Sequence, residues 1–280
     1  MKSYLNEKSS PRINAITRSV LFWILFILLL FALSSLLGSF FPAKWERYVY
    51  GIFGTIAAFS ATWVFLKIEK RSFRDIGLVW ERGTAFRFFK GIFTGTVIFM
   101  LIIIVLLSFT ELQMERNSKA FDPWSAFWYL AIIPLALMEE VAFRSYSFLK
   151  LNSAFGLRVT QIIVAVGFAL YHVAGGWSVA GAFLGPGIWA FVFGLAAVWS
   201  GGIAVPTGIH VALNVLQSLI GLKSGSFESL WIMDHKEGIS EELIAKTDTV
   251  GLATQLIVLV CAVVLTEYFI RKRQTKGKFS

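Results

Sequence analysis

The segment Ile132-Ile133-Pro134-Leu135-Ala136-Leu137-Met138-Glu139-Glu140-Val141-Ala142-Phe143-Arg144 sets two adjacent acids and an arginine into a stretch that is otherwise apolar. It lies inside a longer apolar run, Ser125–Leu149, long enough to cross a hydrocarbon core, which takes about 20 residues of helix. An acid held at mid-membrane costs roughly 2.5–3.5 kcal/mol on insertion scales, so it persists there only with partners or with work to do. Glu140 and Arg144 are four apart, share a helix face and can pair. Glu139 points about 100° away on the same helix and is left to face a cavity.

The rest of the chain reads as the setting for that segment. Seven further apolar spans run over Val20–Phe41, Tyr48–Leu66, Gly91–Phe109, Val159–Gly175, Gly185–Ser200, Ile203–Leu222 and Leu252–Ile270. Charged residues make up only 15% of the chain, against about 25% in soluble domains. The expected fold class is therefore all-α: a polytopic transmembrane helix bundle of about eight spans. The whole chain, 1–280, reads as a single membrane domain, with Ser125–Leu222 as its core. The first span follows Lys2, Lys8, Arg12 and Arg18 but is too long for a signal peptide and ends in no clear cleavage site. The single cysteine, Cys261, excludes a disulfide framework or a cysteine metal site.

Charge gives the orientation. The N-terminal tail, the loop from Lys67 to Lys90 and the tail from Arg271 to Lys278 are basic; Glu111–Asp122 and Lys223–Asp248 are net acidic. With eight spans the basic regions fall on one side and the acidic loops on the other, so both termini are expected in the cytoplasm. The net charge of +9 is accounted for by this topology and does not point to nucleic acid. Phe73–Phe89, mixing aromatic and basic residues, reads as an interfacial segment. Trp45, Trp124, Trp128, Trp177 and Trp231 fall near the outer span ends, as belt aromatics do. His235 is expected to be solvated in an outer loop.

Two other spans carry unexpected polar residues: Phe168-Ala169-Leu170-Tyr171-His172 in the fifth, and His210-Val211-Ala212-Leu213-Asn214 in the seventh. His210 and Asn214 share a face, one turn beyond Pro206. Counting about 1.5 Å per residue from the span ends places Glu139, His172, His210 and Asn214 in the central part of the core. Two chemistries fit. A carboxylate beside a histidine can act as general base on water while a histidine and an asparagine stabilise an oxyanion. Alternatively, Glu139, His172 and His210 offer one oxygen and two nitrogen ligands to zinc, with a position left open.

Together Glu139-Glu140-x-x-x-Arg144, Phe168-x-x-x-His172 and His210-x-x-x-Asn214 resemble, in order and spacing, the CAAX-processing and bacteriocin-processing intramembrane protease family, which includes the type II CAAX prenyl endopeptidases. The resemblance implies a helical membrane endopeptidase with a cavity open to the cytosol and the bilayer, acting on a membrane-associated or lipid-tethered peptide or protein. By motif position it makes Glu139, helped by His172, the activator of water, and His210 and Asn214 the oxyanion donors. Glu140, Arg144 and Phe168 would support them. The family is often labelled metalloprotease, and the same residues also fit a metal-independent glutamate mechanism. The compact chain looks like a bacterial, plasma-membrane member. Two other functions use the same residue types: a non-catalytic membrane regulator or immunity protein, and a transporter or proton relay. Against the last, no inverted repeat relates the halves of the chain.

Overall fold

A computed structural model describes residues 11–119, 124–223 and 227–277. Lys2, Lys8, Asp122 and Lys278, used above for orientation, lie outside them. Long apolar stretches leave the backbone no partner but itself, and in lipid that dictates helix. The chain accordingly forms α1 (Arg12–Gly38), α2 (Glu46–Ile68), α3 (Thr84–Phe109), the short α4 (Ser125–Tyr129), α5 (Ile132–Arg144), α6 (Tyr146–Ala174), the short α7 (Val179–Ala182), α8 (Ile188–Ser200), α9 (Ala204–Leu219) and α10 (Glu241–Gly277). A π-helical turn, Phe183–Gly187, joins α7 to α8.

Among the described residues six helical stretches are long and apolar enough to cross a membrane. One of them, Ser125–Ala174, is 50 residues long and contains both the fourth and fifth expected spans. It goes across and back. Near its start the Phe127 carbonyl accepts from the Tyr48 hydroxyl, and near its end Tyr171 lies 3.3 Å from the hydroxyl of Tyr50. Tyr48 and Tyr50 begin α2. In the middle of the stretch, Tyr146 and Lys150 bind Glu69, just past the other end of α2, at 2.7 and 2.9 Å.

The reversal uses two backbone breaks, one inside the fourth expected span and one between the fourth and the fifth. Ser145, at φ −104° and ψ −110°, separates α5 from α6. Gly156, at φ 77° and ψ 171°, interrupts α6 in a conformation that side chains disfavour. The expected continuous helix over Ser125–Leu149 is thus corrected. It is broken at Leu130–Ala131 and again at Ser145, so the residue count from Lys150 does not measure the depth of Glu139. The seventh expected span is a helix of 16 residues, about 24 Å long, and falls short of a full crossing by length. Beyond its two ends, Gly202 lies against the Gly77 carbonyl and Gly221 against Trp231.

Both ends of the described chain lie on the face that carries the basic loops. Arg18 binds Glu69 at 2.9 Å, and Arg158 binds Glu267 near the end of α10 at 2.5 Å. At the opposite face Trp45, Tyr48, Phe127 and Trp128 cluster ring on ring. There the structure adds something to the all-helical expectation. Strands β1 (Leu112–Arg116) and β2 (Trp231–His235) pair antiparallel, Leu112 opposite His235 and Arg116 opposite Trp231. His235, expected in a solvated loop, is the half-buried last residue of that ladder.

Glycine decides how closely the helices approach. Gly91 and Gly95 of α3, spaced as small residues are at tight membrane helix contacts, meet Gly208 and Ile209 of α9 backbone to backbone. A Cβ on Gly208 would lie 2.1 Å from the Phe88 carbonyl and 3.0 Å from Cα of Gly91. Gly54 of α2 likewise leaves room for Met138 of α5, and Thr55 donates to the Pro134 carbonyl at 2.9 Å. The backbones carrying Glu139 and His210 are thereby pressed to their neighbours.

Gly208→Ala is expected to force α3 and α9 apart, at a loss of about 1–3 kcal/mol, the usual range for overpacking. Gly251→Ala in α10, where nothing lies within 4 Å of the new methyl, should leave stability unchanged or slightly raised. Thermal unfolding of both variants in detergent tests the contrast.

Candidate active site

Burying Glu140 in an apolar bundle requires neutralisation, and it comes from two helices. Oε1 of Glu140 accepts from Nδ1 of His210 on α9 at 3.0 Å and lies 3.5 Å from Nη1 of Arg144, one turn along α5. The side chains of Glu140 and Arg144 are both 0% exposed. The expected ion pair is present, but aromatic rings do much of the holding. The Arg144 guanidinium sits 4.2 Å from the Phe168 ring centre and 5.1 Å from that of Phe193, a cation–π arrangement that strengthens when desolvated. Phe193 also stacks on His210, with centroids 4.7 Å apart and planes at 14°. Phe168, which the motif singled out, and Phe193 of α8, which sequence reasoning missed, therefore connect the arginine to the histidine. Nothing in the apolar run around Phe193 marks it.

Glu139 is turned away from this buried pair, as its position on the helix predicts. Its Oε2 lies 3.6 Å from Nε2 of His210, too far for a direct hydrogen bond. That oxygen is buried and has no hydrogen-bond partner among the described residues. An orphaned carboxylate oxygen beside a ring nitrogen is uncommon in a folded interior; Oε2 of Glu140 and the three guanidinium nitrogens of Arg144 are likewise buried without a hydrogen-bond partner among the described residues.

His172 stands at the side of this gap. Its Nδ1 lies 2.8 Å from the Phe168 carbonyl. A carbonyl only accepts, so Nδ1 carries the hydrogen and Nε2 keeps its lone pair. The ring packs edge-on against Phe168 at 4.6 Å and against Trp177 at 5.5 Å. The charges of Glu139, His210 and Arg144 all act on it, which sets it among them. Glu139 also acts on Tyr50 and Tyr171, two phenols that sequence reasoning did not single out.

The fourth motif residue, Asn214, is one turn beyond His210, and its Oδ1 accepts from Nζ of Lys223 at 2.7 Å. Lys223 went unnoticed because it follows the apolar span and reads as the first charge of a loop. Burial pushes its ammonium down to about 8, with Glu139 pulling it up and Arg47 adding to the push.

These contacts orient the site. Glu140 and Arg144 form its sealed floor. Glu139 faces the ends of α2 and α6, where Tyr50 and Tyr171 lie, beside the β1–β2 ladder. The resemblance implied a cavity open to the cytosol. Here the Glu139 carboxylate is turned towards the β1–β2 ladder, on the face opposite the basic loops.

Zinc requires three protein ligands closing on one point, with a fourth position open. Among the described residues no group of three or more His, Cys, Asp or Glu side chains meets that requirement. Glu139, His172 and His210 are neighbours, yet as placed they do not fit a zinc centre.

Residues 121–216, which carry all three motifs, match the family model described as Rce1-like, type II CAAX prenyl endopeptidase Rce1-like. Over that segment the resemblance read from the motifs is borne out. No curated protein matches the chain.

Removing one partner of a buried charge pair strands the other, at about 3–5 kcal/mol. Arg144→Leu is expected to show that loss as a sharp fall in thermal stability in detergent. The double variant Arg144→Leu/Glu140→Leu should recover a substantial part of it. A double variant no more stable than the single one would show that the rings, not the charge pair, require the arginine.

Proposed function

We propose that the protein is an intramembrane endopeptidase that hydrolyses a peptide bond in a membrane-associated or lipid-tethered protein, with Glu139 as general base. The observation that carries this reading is the unpartnered Oε2 of Glu139, 3.6 Å from Nε2 of a histidine whose other nitrogen is bound by a second carboxylate. The match of residues 121–216 to type II CAAX prenyl endopeptidases supports the same reaction class.

The steps follow from the groups present. The carboxylate of Glu139 takes a proton from water as the water oxygen bonds to the scissile carbonyl carbon. The free Nε2 of His172 accepts from the water's other hydrogen and holds it in place. The carbonyl π pair moves onto oxygen, where N–H groups of His210 and Asn214 donate to it. Collapse of this intermediate breaks the C–N bond, and the proton held by Glu139 passes to the departing nitrogen. The products are a carboxylic acid and an amine.

With Nδ1 of His210 donating to Glu140, donation from Nε2 requires hydrogens on both ring nitrogens. With the ring so charged, Glu139, Glu140, Arg144 and His210 sum to zero. A buried site of this kind holds its charge without counter-ions from solvent. Water activation is assigned to Glu139 itself, supported by its unpartnered Oε2.

A panel of quenched fluorogenic peptides tethered to vesicles, with and without a prenylated cysteine, tests the reading. The wild type should cleave at least one of them. Glu139→Gln is expected to lower kcat by at least about 100-fold, in the range general-base catalysis contributes. Asn214→Ala should cost about 100-fold, as loss of an oxyanion donor does. Cleavage that survives Glu139→Gln unchanged overturns the assignment. Activity that disappears in chelator and returns with zinc overturns the metal-independent route while leaving the peptidase reading in place.

A further inference from the structure

We propose that Lys223 is a positioning residue of this site: its ammonium holds Oδ1 of Asn214 and so turns the amide's N–H donors towards the reacting carbonyl oxygen. The inference rests on the reading of Asn214 as an oxyanion donor and extends it to a residue outside the matched segment 121–216.

An asparagine side chain presents oxygen on one side and NH2 on the other, and a half-turn about its last bond exchanges them. Only the NH2 side stabilises an oxyanion; the oxygen side repels it. In an apolar helix little distinguishes the two orientations unless something holds one end. An ammonium has only hydrogens to donate. At 2.7 Å from the amide it accepts the oxygen side and rejects the NH2 side, donors facing donors. Charge-assisted bonds of this kind are roughly twice as strong as neutral ones.

The fold brings the lysine there by a specific device. Lys223 is nine residues beyond Asn214, too far to meet it on a continuing helix. The chain turns back at Gly221, whose φ is +75°. Its N–H bonds to the Ser218 carbonyl at 3.2 Å, and the N–H of Leu222 bonds to the Gln217 carbonyl at 2.9 Å. This is the paired closure of a Schellman cap, which calls for a left-handed residue at this position. The cap is fixed from outside by β2 and the residue before it: Leu230 donates to the Leu219 carbonyl at 2.9 Å, and Met233 donates to the Ile220 carbonyl at 3.2 Å. The β1–β2 ladder is thereby tied to the loop that carries Lys223. The charged groups acting on the ammonium from the packed elements are Glu139 of α5 and Arg47 of α2, one of each sign.

The test uses the full chain in nanodiscs and whichever peptide of the vesicle-tethered panel the wild type cleaves. Lys223→Met should lower kcat about 10- to 100-fold, the loss that misplacing a reacting group brings, with KM little changed. Lys223→Arg should restore most of the rate. Raising pH through about 8 should weaken the wild type several-fold, since the neutral amine forms only an ordinary hydrogen bond; Lys223→Arg should lack that decline. In an Asn214→Ala background, Lys223→Met should cost less than about 2-fold, because coupled residues do not add. A full additive loss in that background, or a loss expressed in KM alone, overturns the proposal. A second readout needs no turnover. The Lys223 signal, assigned through Lys223→Arg in protein carrying 13C at lysine Cε, should titrate near pH 8 and move on Asn214→Ala. An unmoved signal overturns the contact itself, whereas a wild type that cleaves nothing overturns the peptidase reading.

Discussion

Everything at the centre of this bundle depends on neutralising one fully buried carboxylate. Glu140 sits where lipid and apolar side chains offer it nothing, and an uncompensated charge there would cost several kcal/mol. One cation comes from its own helix and one donor from α9. Because Arg144 is part of α5 while His210 is not, the requirement is local in one direction and tertiary in the other. It fixes the rotation of α5, which turns Glu139 outwards, and it fixes the rotation of α9, which carries Asn214 one turn further along the same face. The placement of Glu139, His210 and Asn214 follows from satisfying a structural debt of charge.

The helices that carry these groups are packed closely against their outer neighbours. Side chains of average size keep helix axes 8–10 Å apart. Gly208 on α9, against Gly91 and Gly95 on α3, lets the backbones touch; Gly54 on α2 admits the bulk of Met138 beside the two acids. Hydrophobic burial contributes little to association between helices within lipid, so the bundle relies on such close contacts. The Phe168, Arg144, Phe193 and His210 contacts fill the remaining space with rings and a flat cation that pack as rings do.

The chemistry was more legible in the sequence than the path of the chain. Acids and histidines in apolar spans are anomalies that a single sequence displays, and spacing of four puts Glu140 with Arg144 and His210 with Asn214 without any knowledge of tertiary structure. The break at Gly156 falls between the fourth and fifth expected spans, in the polar stretch Lys150–Arg158; the break at Ser145 was not legible, since it lies inside the fourth span and does not interrupt its hydropathy. The β1–β2 pairing joins residues far apart in sequence, and its strands are short and only partly alternating. Phe193 and Lys223 were hidden for opposite reasons: one is an ordinary aromatic in an apolar run, the other an ordinary lysine at a span end. Both acquire their roles from neighbours that only the fold supplies.

The position of Lys223 bears on how the site meets water. A half-buried lysine at the β1–β2 end, a sealed Glu140–Arg144 floor below, and Glu139 between them make a gradient from wholly dry to partly wet along one line through the bundle. The proposed hydrolysis uses both ends of that gradient. The dry end makes the charges act strongly on the reacting groups, since Coulomb interactions grow as the surrounding dielectric falls. For the proposed peptidase reaction the wetter end is where water and a peptide backbone would enter, since backbone amides cannot be left unpaired in lipid. The β1–β2 ladder, tied through Leu219 and Ile220 to the end of α9, stands at that end.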